Sequence, residues 1–333
     1  MMKLKHILTL SLLLVLASST FAQDLHYARV EDLSIWYNPS LKNTKQSDVR
    51  INYRDVRYQN LLSYRSSAVF SNITLRSNGR EEMDNSGYLS LSVGLANDQS
   101  NQNILRNTSG VLGLSYAVPL TGANQYLAVS IQGSYMNSRL DLSNATFPDQ
   151  FDRNGPINGA TTIDPLGVGM PRNWFSSHLG ASMFQTGEDQ SWSLGVSVRD
   201  VTSPRIERGT GQEFTLAPTF GFQGSYEMQR GSTRYGLHGV ANFKAEAFEQ
   251  LLSTSISHHN KGSKLSTVKG GVAYRVRDAV IPYAEVGVGT NTIGLYYELN
   301  ISGIKAAGYS RNAFEISLKK AFKGKEKGVV KEE

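Results

Sequence analysis

The 333-residue chain carries 34 Lys and Arg against 28 Asp and Glu, a formal net charge of +6, with 40% hydrophobic residues, 31 Gly and no Cys. Without Cys there is no disulfide scaffold, thiolate metal site, cysteine nucleophile or lipidation at a cleavage-site Cys. Charged residues make up 19% of the chain, below the ~25% usual in soluble domains, and no apolar run beyond the N-terminus approaches the ~20 residues of a spanning helix. The apolar residues are instead dispersed, as in β structure.

At the start, Lys3 and Lys5 precede an apolar stretch over 7–17 and then Ser18, Ser19, Thr20, Phe21 and Ala22. A basic start, a short apolar core and small residues predict a secretory signal peptide over 1–22, cleaved after Ala22. Cleavage removes two Lys and no acid, leaving a charge of +4 that gives no reason to invoke nucleic acid. Residues 23–47, with Trp36 and Tyr37, are expected to form an N-terminal periplasmic or plug segment, either a hatch inside a barrel or a loose leader.

From there to residue 322 the sequence alternates with period two. In the segment beginning at Tyr88, Leu89, Leu91, Val93 and Leu95 oppose Ser90, Ser92, Gly94 and Ala96. Around Ser191, Trp192, Leu194, Val196 and Val198 oppose Ser193, Gly195, Ser197 and Arg199. Near the end, Ile293, Leu295, Tyr297, Leu299 and Ile301 oppose Thr292, Gly294, Tyr296, Glu298 and Asn300. Similar segments start near Val49, Leu62, Val111, Tyr126, Phe175, Phe214, Tyr235, Leu251, Leu265, Val280 and Phe314, giving about fourteen strands.

The face opposite the apolar one is built of Ser, Gly, Ala, Gln and Asn with single charges: Arg54, Arg199, Glu285, Glu298 and Glu315. Small polar residues with isolated charges suit an enclosed lumen rather than a water-facing sheet. The apolar face then meets lipid, and closure satisfies every backbone group where water is absent. The expected fold is all-β, a transmembrane antiparallel up-and-down barrel over 48–322, followed by a charged tail over 323–333. Tyr53, Tyr88, Tyr116, Tyr126, Tyr135, Trp174, Trp192, Tyr226, Tyr235, Tyr274 and Tyr283 are placed as interfacial girdles. The lumen charges are expected to pair across the barrel.

Connections alternate in length, as outer-membrane barrels require when both ends lie in the periplasm. The longest, 137–173, is rich in Asn, Asp, Gly and Pro and is read as extracellular. The link over 76–87 is long where a short turn is expected, and Arg277-Asp278 is tight where a loop is expected. In the last strand Phe314, Ile316, Leu318 and Phe322 share one face with Lys320, whose stem can lie along lipid while its ammonium reaches water.

No catalytic constellation stands out. No His is followed by Glu and a second His four residues on, and His258-His259 on a strand point to opposite faces. Gly324-Lys325 lacks the upstream glycine of a phosphate loop, and no motif selects a Ser, His and amide for a lipase. The expectation is no enzyme, no metal and no cofactor.

Several landmarks share an order and spacing. Gln23-Asp24 and His26-Tyr27 precede Tyr37-Asn38-Pro39-Ser40-Leu41, then Ile51-Asn52-Tyr53-Arg54. Gly94-Leu95-Ala96-Asn97-Asp98 is followed by Leu114-Ser115-Tyr116-Ala117, then Tyr274-Arg275 with Asp278, and Phe314-Glu315-Ile316. This series resembles the PorP/SprF family of outer-membrane proteins tied to type IX secretion and gliding in the Bacteroidetes. Asp55-Val56-Arg57 replaces the Asn-Gln-Trp expected there, as in a divergent member. The resemblance implies structural roles for Asn38, Pro39, Tyr53, Arg54, Tyr274, Arg275, Asp278, Phe314 and Glu315.

It also implies a non-enzymatic barrel that helps export or anchor a large surface adhesin carrying a C-terminal sorting domain. Further partners it implies are outer-membrane lipid and a periplasmic secretion ring or peptidoglycan-binding lipoprotein. On this reading the long loop, with Phe147, Asp149, Phe151, Asp152, Arg153 and Trp174, meets the secreted partner. The alternative is a transport channel for hydrophobic or small polar solutes, with 23–47 as its hatch.

Overall fold

The computed structural model describes residues 27–29, 34–41, 46–58, 63–75, 87–100, 104–120, 124–141, 148–152, 155–156, 171–208, 212–245, 247–260, 263, 265–303 and 311–322. The predicted signal peptide, the tail, Phe147 and Arg153 lie outside these residues.

The barrel strands are β1 (Ser47–Tyr58), β2 (Ser63–Leu75), β3 (Tyr88–Ser100), β4 (Leu105–Pro119) and β5 (Gln125–Leu140). Two small outlying strands follow, β6 (Phe151–Asp152) and β7 (Gly155–Pro156), then β8 (Pro171–Gln185) and β9 (Gln190–Arg199) of the barrel. A second outlying pair, β10 (Arg205–Arg208) and β11 (Gln212–Thr215), precedes β12 (Thr219–Arg230), β13 (Thr233–Lys244) and β14 (Ala247–His259). The barrel ends with β15 (Leu265–Arg275), β16 (Ala279–Val288), β17 (Asn291–Asn300) and β18 (Arg311–Phe322). A four-residue helix, α1 (Ser34–Tyr37), lies ahead of β1.

Fourteen strands close on themselves, each antiparallel to its sequence neighbours in the wall, and β18 returns to pair with β1 from Ser47↔Phe322 to Tyr58↔Arg311. Closure leaves no edge, so the wall's backbone groups are satisfied by neighbouring strands. The even strand number puts both barrel ends on one rim, here the terminal rim. The opposite, loop rim carries the long connections 141–170 and 200–218.

Period-two alternation becomes an outside and an inside. Leu95, Leu112, Val129, Ile131, Phe175, Leu194, Phe222, Leu237, Ile293 and Leu295 stand on the outer surface. Ser90, Ser92, Ala96, Ser193, Ser197, Tyr296, Glu298 and Asn300 are buried within. On β18 Phe314, Leu318 and Phe322 face outward, with the Lys320 ammonium 5.8 Å from the Phe322 ring.

Three details depart from the sequence reading. The segment near Phe214 is not the start of a barrel strand: β11 pairs with β10 in a separate ribbon, and the wall strand begins at Thr219. Its four residues are too few to cross a membrane, so the alternation there builds a loop hairpin. The girdle assignment also fails for Tyr88, Tyr126 and Tyr283, which are buried inside. Their strands place them on the small-residue face, where Tyr126 stacks on Phe184 at 5.3 Å and Tyr283 on Tyr296 at 5.4 Å. Trp174 also takes the lumen side of its strand, beside Ser176 and His178, while neighbouring Phe175 points outward. Tyr53, Tyr116, Tyr135, Tyr226, Tyr235 and Tyr274 do lie on the outer face.

One seam is interrupted. Between β16 and β17 the pairing runs from Ala279↔Asn300 to Val280↔Leu299 and resumes at Tyr283↔Tyr296. Pro282 lies in the gap, and it has no N–H to give to a ladder.

Candidate functional site

The lumen is occupied from within by the chain itself. Tyr27, Ala28, Tyr37, Asn38 and Ser40 are all buried, although 27–29 and 34–41 form no strand. Tyr27 and Tyr37 pack with Ala68, Phe70, Ala96, Val111 and Val240, and Trp36 lies against the same cluster. Ala28 packs with Leu251, Ala273, Ala279, Ile281, Tyr283 and Tyr296 on β14 to β17. The inner segment therefore reaches widely separated sectors of the wall.

Asn38 is seated on the wall of β8, β9 and β12. Its side-chain amide donates to the main-chain oxygen of Val196 at 3.0 Å, to that of Ala181 at 3.4 Å and to Gln223 Oε1 at 3.0 Å. Its Oδ1 accepts from the Ser40 N–H at 3.0 Å and the Ser40 hydroxyl at 2.6 Å, a local turn that fixes the side chain's direction. Gly180 and Gly195 make the space. A Cβ at Gly180 would collide with Asn38 Oδ1, and one at Gly195 would come within 2.8 Å of Asn38 Nδ2. Ser182 and Ser197, paired across the seam with Gly195 and Gly180, donate to the carbonyls of Ser40 and Tyr37, each at 2.8 Å. Pro39 lies in the turn that the Leu41 N–H closes onto the Asn38 carbonyl at 3.1 Å.

A second set of contacts holds the start of the inner segment. Glu315 on β18 accepts from the Ala28 N–H at 2.8 Å and from Asn52 Nδ2 at 3.1 Å. Glu285 on β16 pairs with Arg29 at 2.9 Å and accepts from the Tyr296 hydroxyl at 2.9 Å. Arg199 lies over the Tyr37 ring at 5.8 Å. Arg29 also lines a polar cavity of about 210 Å³ towards the terminal rim, with Glu227, Arg234, Lys269, Glu285 and Lys319.

Towards the loop rim the lumen charges form one chain of contacts. Arg54 Nη2 meets Glu298 Oε1 and Oε2 at 2.8 and 2.9 Å, and Arg275 donates to the same carboxylate at 3.2 and 3.3 Å. Arg275 also reaches Asp278 at 3.0 Å, and Arg311 holds both Asp278 oxygens at 2.6 Å. Burial works against the Asp278 charge, but Arg275 and Arg311 outweigh it and hold the carboxyl below its ordinary value. The chain joins β1, β15, β17, β18 and the β15–β16 turn, and so bridges the seam interrupted at Pro282.

The other residues singled out from sequence divide by position. Tyr53, Tyr274 and Phe314 are on the outer face, away from the lumen contacts. Asp149 is in a short turn over Pro148–Gln150, and Phe151, half exposed, begins the β6–β7 ribbon with Asp152. Trp174 follows the end of that ribbon by 18 residues and belongs to β8 of the barrel wall. Sequence reasoning missed Gly180, Gly195, Ser182, Ser197 and Gln223 as the seat of Asn38. It also missed Arg311 as a partner of Asp278. Among the described residues, no group of His, Asp and Glu is arranged to hold a metal ion.

The family model for the type IX secretion system membrane protein PorP/SprF matches residues 20–319. The chain belongs to the PorP/SprF family. That span includes the inner segment, the wall strands up to residue 319 of β18, and both sets of lumen contacts. No curated protein matches the sequence. Among solved structures, a Pseudomonas aeruginosa FadL homologue is similar with a TM-score of 0.50 and 9% identity, over 83% of this chain and 89% of that one. The Ralstonia pickettii toluene transporter TbuX is similar with a TM-score of 0.49 and 9% identity, over 87% of this chain and 93% of that one. At such identities the likeness concerns fold alone. This PorP/SprF chain is an outer-membrane β-barrel.

Proposed function

We propose that this barrel acts in type IX secretion by helping to export or anchor a large surface protein, with its loop rim outside the cell and its terminal rim in the periplasm. The family membership carries this reading. The unequal rims support the orientation, since the connections 141–170 and 200–218, each containing a ribbon outside the wall, are on one side. The 141–170 connection offers the exposed Phe151 ring to a partner. The terminal rim then meets periplasmic components, a secretion ring or a peptidoglycan-binding lipoprotein. Membrane lipid covers the outer apolar face. No step of this role needs bond chemistry.

A solute channel needs an open path, whereas residues 27–29 and 34–41 lie inside the lumen, held by buried contacts at Ala28, Tyr37, Asn38 and Ser40. The contacts therefore favour anchoring over conduction. Replacing 142–170 by a short Gly-Ser link should cut surface display of a co-expressed adhesin at least about fivefold while the barrel still assembles. Assembly is read by heat-modifiable gel migration and display by whole-cell immunofluorescence. Undiminished display would remove the loop from the mechanism.

A further inference from the structure

Part of the wall's grip on the inner segment falls on its backbone. Ser182 and Ser197 donate to the carbonyls of Ser40 and Tyr37, and Glu315 accepts from the N–H of Ala28. None of these contacts reads a side chain. Elsewhere Arg29 pairs with Glu285 and the Tyr27 and Tyr37 rings pack on the wall; at this notch the side chain that is read is Asn38, whose amide enters above Gly180 and Gly195 and meets two main-chain oxygens and Gln223. A site of this composition recognises a class of ligand, a polypeptide with an Asn at the head of a tight turn, rather than one sequence.

We propose that the notch of Gly180, Ser182, Gly195, Ser197 and Gln223 is a polypeptide-binding site, filled at rest by residues 37–40. A partner segment presenting the same Asn turn takes their place. This deepens the anchoring reading, on which it rests for the partner's identity, by naming the kind of segment the lumen accepts.

Three features fit an exchangeable occupant. Among its described residues, 27–29 and 34–41 form no strand pairing with the wall, so displacing them breaks side-chain contacts and leaves the barrel ladder intact. Its turn is self-contained, closed by Ser40 to Asn38 and Leu41 to Asn38, so a free peptide can form it before entry. The seat is rigid, because Ser182, Gly195, Gly180 and Ser197 are cross-strand partners in the β8–β9 pair. A tethered occupant competes at the millimolar effective concentrations typical of short linkers, so weakening it exposes the notch to an added peptide.

The test uses the full-length barrel in detergent and a fluorescent peptide of sequence Ser-Ile-Trp-Tyr-Asn-Pro-Ser-Leu, read by anisotropy. Asn38→Ala weakens the internal occupant without touching the notch. This variant should bind the peptide at least about tenfold more tightly than the wild type, a difference of about 1.4 kcal/mol. A peptide with Ala in place of Asn should lose at least about tenfold in affinity. In the Asn38→Ala background, Gly195→Val should abolish binding. Ser182→Ala with Ser197→Ala, a milder change that keeps the notch open, should weaken it at least about fivefold. Each variant is first checked for folded, heat-modifiable migration. The site is refuted if Asn38→Ala shows no saturable binding, if both peptides bind equally, or if the serine variant binds undiminished. Any of these outcomes alongside loop-dependent adhesin display would sink the notch and leave the anchoring reading standing.

Discussion

Glu298 accepts hydrogen bonds from Arg54 and Arg275 while almost wholly buried, so neither its charge nor theirs can be removed singly without leaving the others uncompensated. Glu298→Gln should lower barrel stability by about 3–5 kcal/mol, measured by urea unfolding in detergent. A loss below about 1 kcal/mol would show that the charges do not act as a unit. Asp278 makes a separate prediction because its carboxyl is held below the ordinary 3.8. A depressed folded-state value means that its contribution is complete above the unfolded value and disappears as pH falls through the folded one. The stability difference between wild type and Asp278→Asn should therefore be constant at neutral pH and shrink as pH falls below the ordinary carboxylate value. A difference that instead grew with acidification would contradict the pairing with Arg275 and Arg311. Arg54, Glu298 and Glu315 were legible as inward charges because alternation assigns faces. Their partners were not, since Arg54 and Glu298 are 244 positions apart and only strand register brings them together.

Among the elements, the long strands were readable and the short ones were not. β17 keeps four outward apolar residues in strict alternation with inward ones, a pattern that fixes both its face and its extent. β11 shows similar alternation around Phe214 but is too short to span, and its β10 partner decides its place. The aromatic residues misled for a related reason. Tyr and Trp are strand formers on either face, so Tyr88 and Tyr126 gave no sign that they pack together inside at 5.7 Å. The inner segment was harder still, because its binding depends on glycines from strands 140 to 160 residues away, which sequence shows only as gaps in an alternating face. Gly180→Ala should push Asn38 from its seat. With about 2 kcal/mol of hydrogen bonding lost, hydrogen exchange over 37–41 should accelerate roughly 30-fold while the wall amides remain protected. Unchanged exchange over 37–41 would show that Asn38 does not hold the segment.

At the scale of the whole molecule, two demands are met by one repeat of two residues. Hydrocarbon requires an apolar exterior with no unsatisfied backbone, and the polypeptide in the lumen requires small polar side chains that leave room and offer hydrogen bonds. Alternation serves both, closure joins β18 to β1, and the inner segment and the Arg54–Glu298–Arg275 contacts then brace the wall from inside. The most direct measurement is a nitroxide scan of residues 292–301 in the folded barrel reconstituted into bilayers, with collision rates measured for oxygen, which concentrates in hydrocarbon. Labels at 293, 295, 297 and 299 should collide freely with oxygen, and labels at 294, 296, 298 and 300 should be shielded. A flat profile, or one with the even positions in contact with lipid, would contradict a closed barrel whose outer face meets the membrane.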